Sequence, residues 1–107
     1  MEEMQHKSPQ FVSLKGLLAL QILHELSLNS YCGDELANII GNRKGSKLTP
    51  GTIYPVLKKM RKNKLIEHKK QGRKKMYTIT EIGLNEHQIV KENFLKMFGN
   101  MFKSFNK

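Results

Sequence analysis

The apolar residues of this chain switch from helical spacing to strict alternation and back again, and that double switch limits the folds open to it. As far as Met60 they recur at steps of three and four. Past Asn63 and Lys64 they alternate, with Ile66 on one segment and Tyr77 and Ile79 on the next all able to face one side. Past Thr80 the helical spacing returns and persists to Phe105. A short hairpin set between helical segments is therefore expected.

Three helices are predicted before the hairpin. The first runs through Leu14, Leu17, Leu18, Leu20, Ile22, Leu23 and Leu26. It is apolar on more than half its circumference, so it must be central. Ser13 can cap it, and Ser8 followed by Pro9 offers an earlier start. Ser30 can cap a second helix that buries Leu36, Ala37, Ile39 and Ile40 and ends at Gly41 and Asn42, before a loop from Arg43 to Lys47. Thr49 caps the third, with Pro50 in its first turn and an inner stripe of Ile53, Leu57 and Met60. Pro55 lies close enough to the start of that helix for its lost backbone bond to be tolerated.

Gln71 and Gly72 are expected to turn the hairpin, whose tip carries Lys69, Lys70, Arg73, Lys74 and Lys75. Thr80 then caps a last helix, and Glu81 suits the positive end of its dipole. Running to Phe105 it would be roughly 38 Å long, with Gly83 and Gly99 as weak points where it could bend. The order of elements is that of a mainly α fold with a small β-hairpin wing: a winged helix-turn-helix over residues 1–79 and a C-terminal helix over residues 80–107 forming one compact unit with it.

Charge gives this fold a direction. The chain has 107 residues and a formal net charge of +10. Of its 19 Lys and Arg, 13 fall between Arg43 and Lys75, where Glu67 is the only acid. Double-stranded DNA, with a charge every ~1.7 Å of axis, is the natural partner of such a surface. With the stripe of the third helix turned inward, Thr52, Lys58, Lys59 and Lys62 remain outside, Thr52 near the end that reaches base edges in a major groove. The alternative is that Thr52 serves only as a helix-start hydroxyl. The wing cations suit flanking phosphates or a minor groove. Tyr54 either packs under the wing or turns its hydroxyl to a phosphate.

The run Thr49-Pro50-Gly51-Thr52-Ile53-Tyr54-Pro55, followed by Leu57, Leu65 and Ile66, then Gly72-Arg73-Lys74-Lys75 and Tyr77-Thr78-Ile79-Thr80-Glu81-Ile82-Gly83, resembles the PadR family of transcriptional regulators. The resemblance covers about Leu14 to Gly83. It implies a homodimeric winged-helix repressor in which Tyr54 and its neighbours line the DNA surface and a single C-terminal helix makes the dimer, as in the short members. Two positions depart from the pattern. Gly33-Asp34-Glu35-Leu36 stands where the family has Gly-Tyr-Glu-Leu, so an aromatic side chain is missing there. Lys64 stands where a Gly precedes Leu-Ile, which leaves Asn63 to supply the left-handed turn.

Phe94, Phe98, Met101 and Phe105 repeat at steps of four, three and four, flanked by Leu95, Met97 and Phe102. That stripe suits a seam between two copies; the alternative is that it folds back on the monomer's own core. A dimer would place two third helices about 34–36 Å apart on a pseudo-palindromic site. Phe and Met at the seam could enclose a small apolar effector, although the chain lacks the Trp with which some short members hold flat aromatic drugs.

Other chemistries have little to rest on. His6, His24, His68 and His87 have no metal-ligand spacing, and no nucleophile has a recognisable base. No catalytic residue, metal or cofactor is expected. The single cysteine, Cys32, excludes an internal disulfide and points to a reducing, cytoplasmic setting. The longest apolar run, Leu17 to Leu20, is too short for a membrane span. Competing readings are a nonspecific nucleic-acid binder and a winged-helix protein-interaction adaptor.

Overall fold

A computed structural model describes residues 14–45 and 48–105. The elements follow in the order α1 (Leu14–Leu28), β1 (Tyr31–Cys32), α2 (Gly33–Lys44), α3 (Pro50–Lys62), β2 (Ile66–Gln71), β3 (Lys74–Ile79) and α4 (Glu81–Phe105). The three strands form one antiparallel sheet in the order β1-β3-β2. The fold is thus the expected winged helix. Both candidate starts of the first helix, Ser8 and Ser13, lie outside the described residues.

The central position of α1 follows from its wide apolar surface. It packs against α2, α3, β3 and α4, and Leu18, Ile22, Leu23 and Leu26 are buried in one cluster with Leu36, Ile40, Ile53, Leu57, Met60, Ile66 and Tyr77. Each such side chain contributes about 1.5–3 kcal/mol by leaving water. The stripe predicted for α3 is therefore the joint between that helix and the core. This joint fixes which face of α3 stays outside.

The second helix begins later than Ser30 and ends later than Asn42. Tyr31 and Cys32 are extended and pair with Tyr77 and Met76 of β3, so the helix cannot start until Gly33. Its cap is Cys32, whose backbone N–H donates to Glu35 Oε1 at 2.9 Å. Ser30 instead donates its N–H to Asn29 Oδ1 at 2.8 Å. At the far end Arg43 and Lys44 complete the last turn, and Gly45 takes the left-handed conformation, φ 75°.

The hairpin turns one residue further on than expected. Gln71 pairs with Lys74, leaving Gly72 and Arg73 as a two-residue loop. Gly72 has φ 64° while Arg73 does not, the pattern of a type II′ turn.

Between α3 and the wing it is Lys64 that is left-handed, φ 64°, whereas Asn63 has φ −86°. The hydrogen bonds give the reason. Leu65 N–H reaches the Met60 carbonyl at 3.0 Å and Lys64 N–H the Arg61 carbonyl at 2.9 Å, the paired bonds of a Schellman motif with Lys64 just past the cap.

Thr80 caps α4 as expected and also ties it to this corner. Its Oγ1 accepts from Gly83 N–H at 3.0 Å, while its hydroxyl donates to the Lys64 carbonyl at 2.6 Å and its N–H to the Leu65 carbonyl at 3.0 Å. The helix is continuous through Gly83 to Phe105. Gly83 permits close approach: a β-carbon there would run into the Leu65 carbonyl oxygen and lie 2.7 Å from Ile79 Cγ1.

Candidate nucleic-acid interface

Burial of Ile53, Val56, Leu57 and Met60 leaves the rest of α3 with three distinct edges. At 3.6 residues per turn, Lys58 and Lys62 share the outer face and Thr52 and Lys59 one flank, with Tyr54 and Arg61 on the other. All four residues expected to face outward, Thr52, Lys58, Lys59 and Lys62, are exposed. Thr49 is exposed at the start of the helix, its Oγ1 3.2 Å from Thr52 Oγ1. Thr49 contributes its carbonyl, which accepts from Thr52 and Ile53 N–H, and makes no side-chain cap bond.

On the wing, Lys69, Lys70, Arg73, Lys74 and Lys75 are all exposed. The register sets Lys70 directly opposite Lys75. Like charges so placed are destabilising by a few tenths of a kcal/mol in the free protein, and an approaching polyanion would relieve the repulsion. Lys74 lies near Glu35 of α2. The Glu35 carboxyl is held below the usual range, first by the Cys32 N–H bond and to a lesser degree by this lysine.

Tyr54 is neither packed wholly under the wing nor free. It is 39% exposed, and its ring covers Gly33 so closely that a β-carbon there would lie 2.6 Å from Tyr54 Cζ. Its hydroxyl donates to Asp34 Oδ1 across 3.4 Å, long for an O–H···O bond. Burial, then the neighbouring Asp34 carboxylate, push the phenol above its ordinary value. Asp34 thus stands beside α3 at the position where the resemblance sets an aromatic.

Arg61 is a member of the surface that the sequence pattern did not single out. It is half-buried on the flank facing the sheet, and its cation acts on His68 and Tyr77. His68 stacks on Tyr77 with ring centroids 5.3 Å apart. Burial first, then Arg61 and Lys75, hold its imidazole below its ordinary value. The buried Arg61 Nε and His68 Nδ1 have no hydrogen-bond partner. The signal is present in the spacing, since Arg61 falls seven residues after Tyr54 and so on the same flank.

The residues expected at a seam divide into two sets. Phe94 and Phe98 are half-buried, with ring centroids 4.5 Å apart, whereas Leu95, Met101, Phe102 and Phe105 are exposed, Phe105 to 71%. Between α1 and α4 lies a half-open pocket of about 290 Å³ whose lining includes Leu20, Gln21, Phe94 and Leu95. At its polar side His24 Nδ1 and His87 Nε2 are 3.2 Å apart. Burial, then His24 and Lys91, hold His87 below its ordinary value. Among the described residues no group of three or more His, Cys, Asp or Glu could hold a metal ion, and no helix is long and apolar enough to cross a membrane.

A family model for the transcriptional regulator PadR-like family matches residues 22–89, from the middle of α1 through the wing into α4. No curated protein sequence matches the chain. Among solved structures, a PadR-like transcriptional regulator from Bacillus cereus is 30% identical, with a TM-score of 0.73 over 88% of this chain and 95% of that one. A PadR family transcription regulator from Clostridium difficile is 24% identical, with a TM-score of 0.68 over 84% and 98%. RosR of H. salinarum, at 22% identity, has the same fold, with a TM-score of 0.70 over 76% and 74%. The winged helix, the exposed cations of α3 and wing, and the match over more than half its length agree: the chain belongs to the PadR-like family of transcriptional regulators.

Proposed function

We propose that the protein is a sequence-specific DNA-binding repressor that acts as a homodimer on a pseudo-palindromic operator. The observation that carries this reading is the cationic surface common to α3 and the wing. Lys58, Lys59 and Lys62 stand on α3, and Lys69, Lys70, Arg73, Lys74 and Lys75 stand on the hairpin, all exposed. The N-terminal turn of α3, with Thr49, Thr52 and the edge of Tyr54, enters a major groove and reads bases, while the lysines position it on phosphates.

Residues 80–107 serve as the dimerisation helix. Leu95, Met97, Met101, Phe102 and Phe105 are all more than 40% exposed on one helix, an apolar surface that association would remove from water. With two reader helices related by a two-fold axis, the half-sites fall about one helical turn apart. The pocket between α1 and α4 is offered to a small apolar effector, since Phe94 and Leu95 of the proposed seam line it.

Fluorescence anisotropy against the DNA upstream of its own gene and a shuffled duplex, each titrated from about 50 to 200 mM salt, tests the reading. Tighter binding to the upstream DNA at every salt, with similar slopes, is the expected result. Equal affinities would remove self-regulation and favour a nonspecific binder, and no binding at low salt would favour an adaptor.

A further inference from the structure

Two acids stand in the first turn of α2, and they are used differently. Glu35 turns back to the Cys32 N–H. Asp34 turns outward, is exposed, and takes the hydroxyl of Tyr54, a residue of the reader helix 20 positions further along the chain. Every charged side chain exposed on α3 itself is a cation. A carboxylate in contact with that helix is therefore an exception on a surface otherwise suited to a polyanion.

We propose that Asp34 sets the affinity for DNA, as an electrostatic brake that withholds the Tyr54 hydroxyl from phosphate and weakens binding to every duplex. The inference rests on the DNA-binding reading above. A phenol hydroxyl beside a reader helix is a ready phosphate donor. Here it already has an acceptor, and a phosphate oxygen reaching it would come within about 6 Å of Asp34 Oδ1. Two negative charges at that separation repel enough, in a mostly aqueous setting, to weaken binding by about 3- to 10-fold. The penalty falls on every sequence alike, so it lowers affinity and leaves the difference between two duplexes unchanged.

Asp34 also suits the positive end of the α2 dipole, and a substitution separates the two roles. Asp34→Asn keeps an oxygen that can accept from Tyr54 and removes only the charge. By anisotropy at about 50 mM salt it should bind the shuffled duplex about 3- to 10-fold tighter than wild type, with a gain that shrinks towards about 200 mM as screening grows. The upstream duplex should gain by the same factor, so the ratio of upstream to shuffled affinity should stay within about twofold. Unchanged or weaker binding by Asp34→Asn overturns the proposal while leaving the regulator reading intact. Absence of binding by the wild-type protein overturns both readings together.

Discussion

The two halves of α4 are one continuous helix in two different environments. The first half is locked to the winged helix: Thr80 caps it onto the Lys64-Leu65 corner, Gly83 lies against the Leu65 carbonyl, and Val90 is buried. The second half carries Leu95, Met97, Met101, Phe102 and Phe105 into solvent. Helical periodicity alone does not say what covers an apolar stripe. The first half is held by its own chain, although Ile82, Leu84 and Ile89 are exposed there too, and the second is the surface proposed to meet a partner.

Two glycines in this helix make the contrast measurable. Gly83→Ala forces a β-carbon into backbone, so a loss of about 3 kcal/mol or more is expected in urea unfolding, of the size that overpacking at a rigid site produces. A seam substitution such as Phe102→Glu should act on association instead. Mass by light scattering at micromolar concentration should drop to that of one chain, while the helical circular dichroism of the winged helix is kept. A Phe102→Glu protein with unchanged mass would move the seam elsewhere.

Gly99 lies within the continuous helix, and a β-carbon added to it would meet no atom within 4 Å. Gly99→Ala should therefore stabilise the protein by up to about 1 kcal/mol. A destabilisation would mean that a partner approaches closely there. Lys64→Gly should stabilise by about 0.5–1 kcal/mol by relieving the left-handed strain at the Schellman corner.

The smallest expected effect is on pH dependence. His68 and His87 are both held below their ordinary value of 6.5. The unfolded chain then binds more protons than the folded one near and below that pH. Stability is complete above about 6.5 and declines as pH falls through the folded-state values. Melting temperature followed from about pH 8 to 5 should show this decline, and His87→Gln, at the contact between α1 and α4, should flatten it.

Much of this fold can be read from sequence because its signals are local. The alternation of Ile66, Tyr77 and Ile79, the Thr49-Pro50 start of α3 and the Thr80 cap of α4 each lie within a few residues of the element they define. Strand β1 is not legible, since two residues have no period; it forms because β3 offers a free edge to Tyr31 and Cys32. At the corner before the wing, residue preference favours Asn63 for the left-handed turn, whereas the hydrogen bonds select Lys64, the residue after it. In the candidate interface, the exposed cations are legible from the inner stripe opposite them. The Asp34–Tyr54 and His24–His87 contacts join residues 20 and 63 positions apart, and only the packing of helices brings them together.

The most direct test of a dimeric regulator is the mass of the protein by light scattering, alone and with a duplex from its own upstream region. Twice the chain mass in the free state and two chains per duplex in the complex are expected. A single chain in both would contradict dimeric binding to a two-fold site.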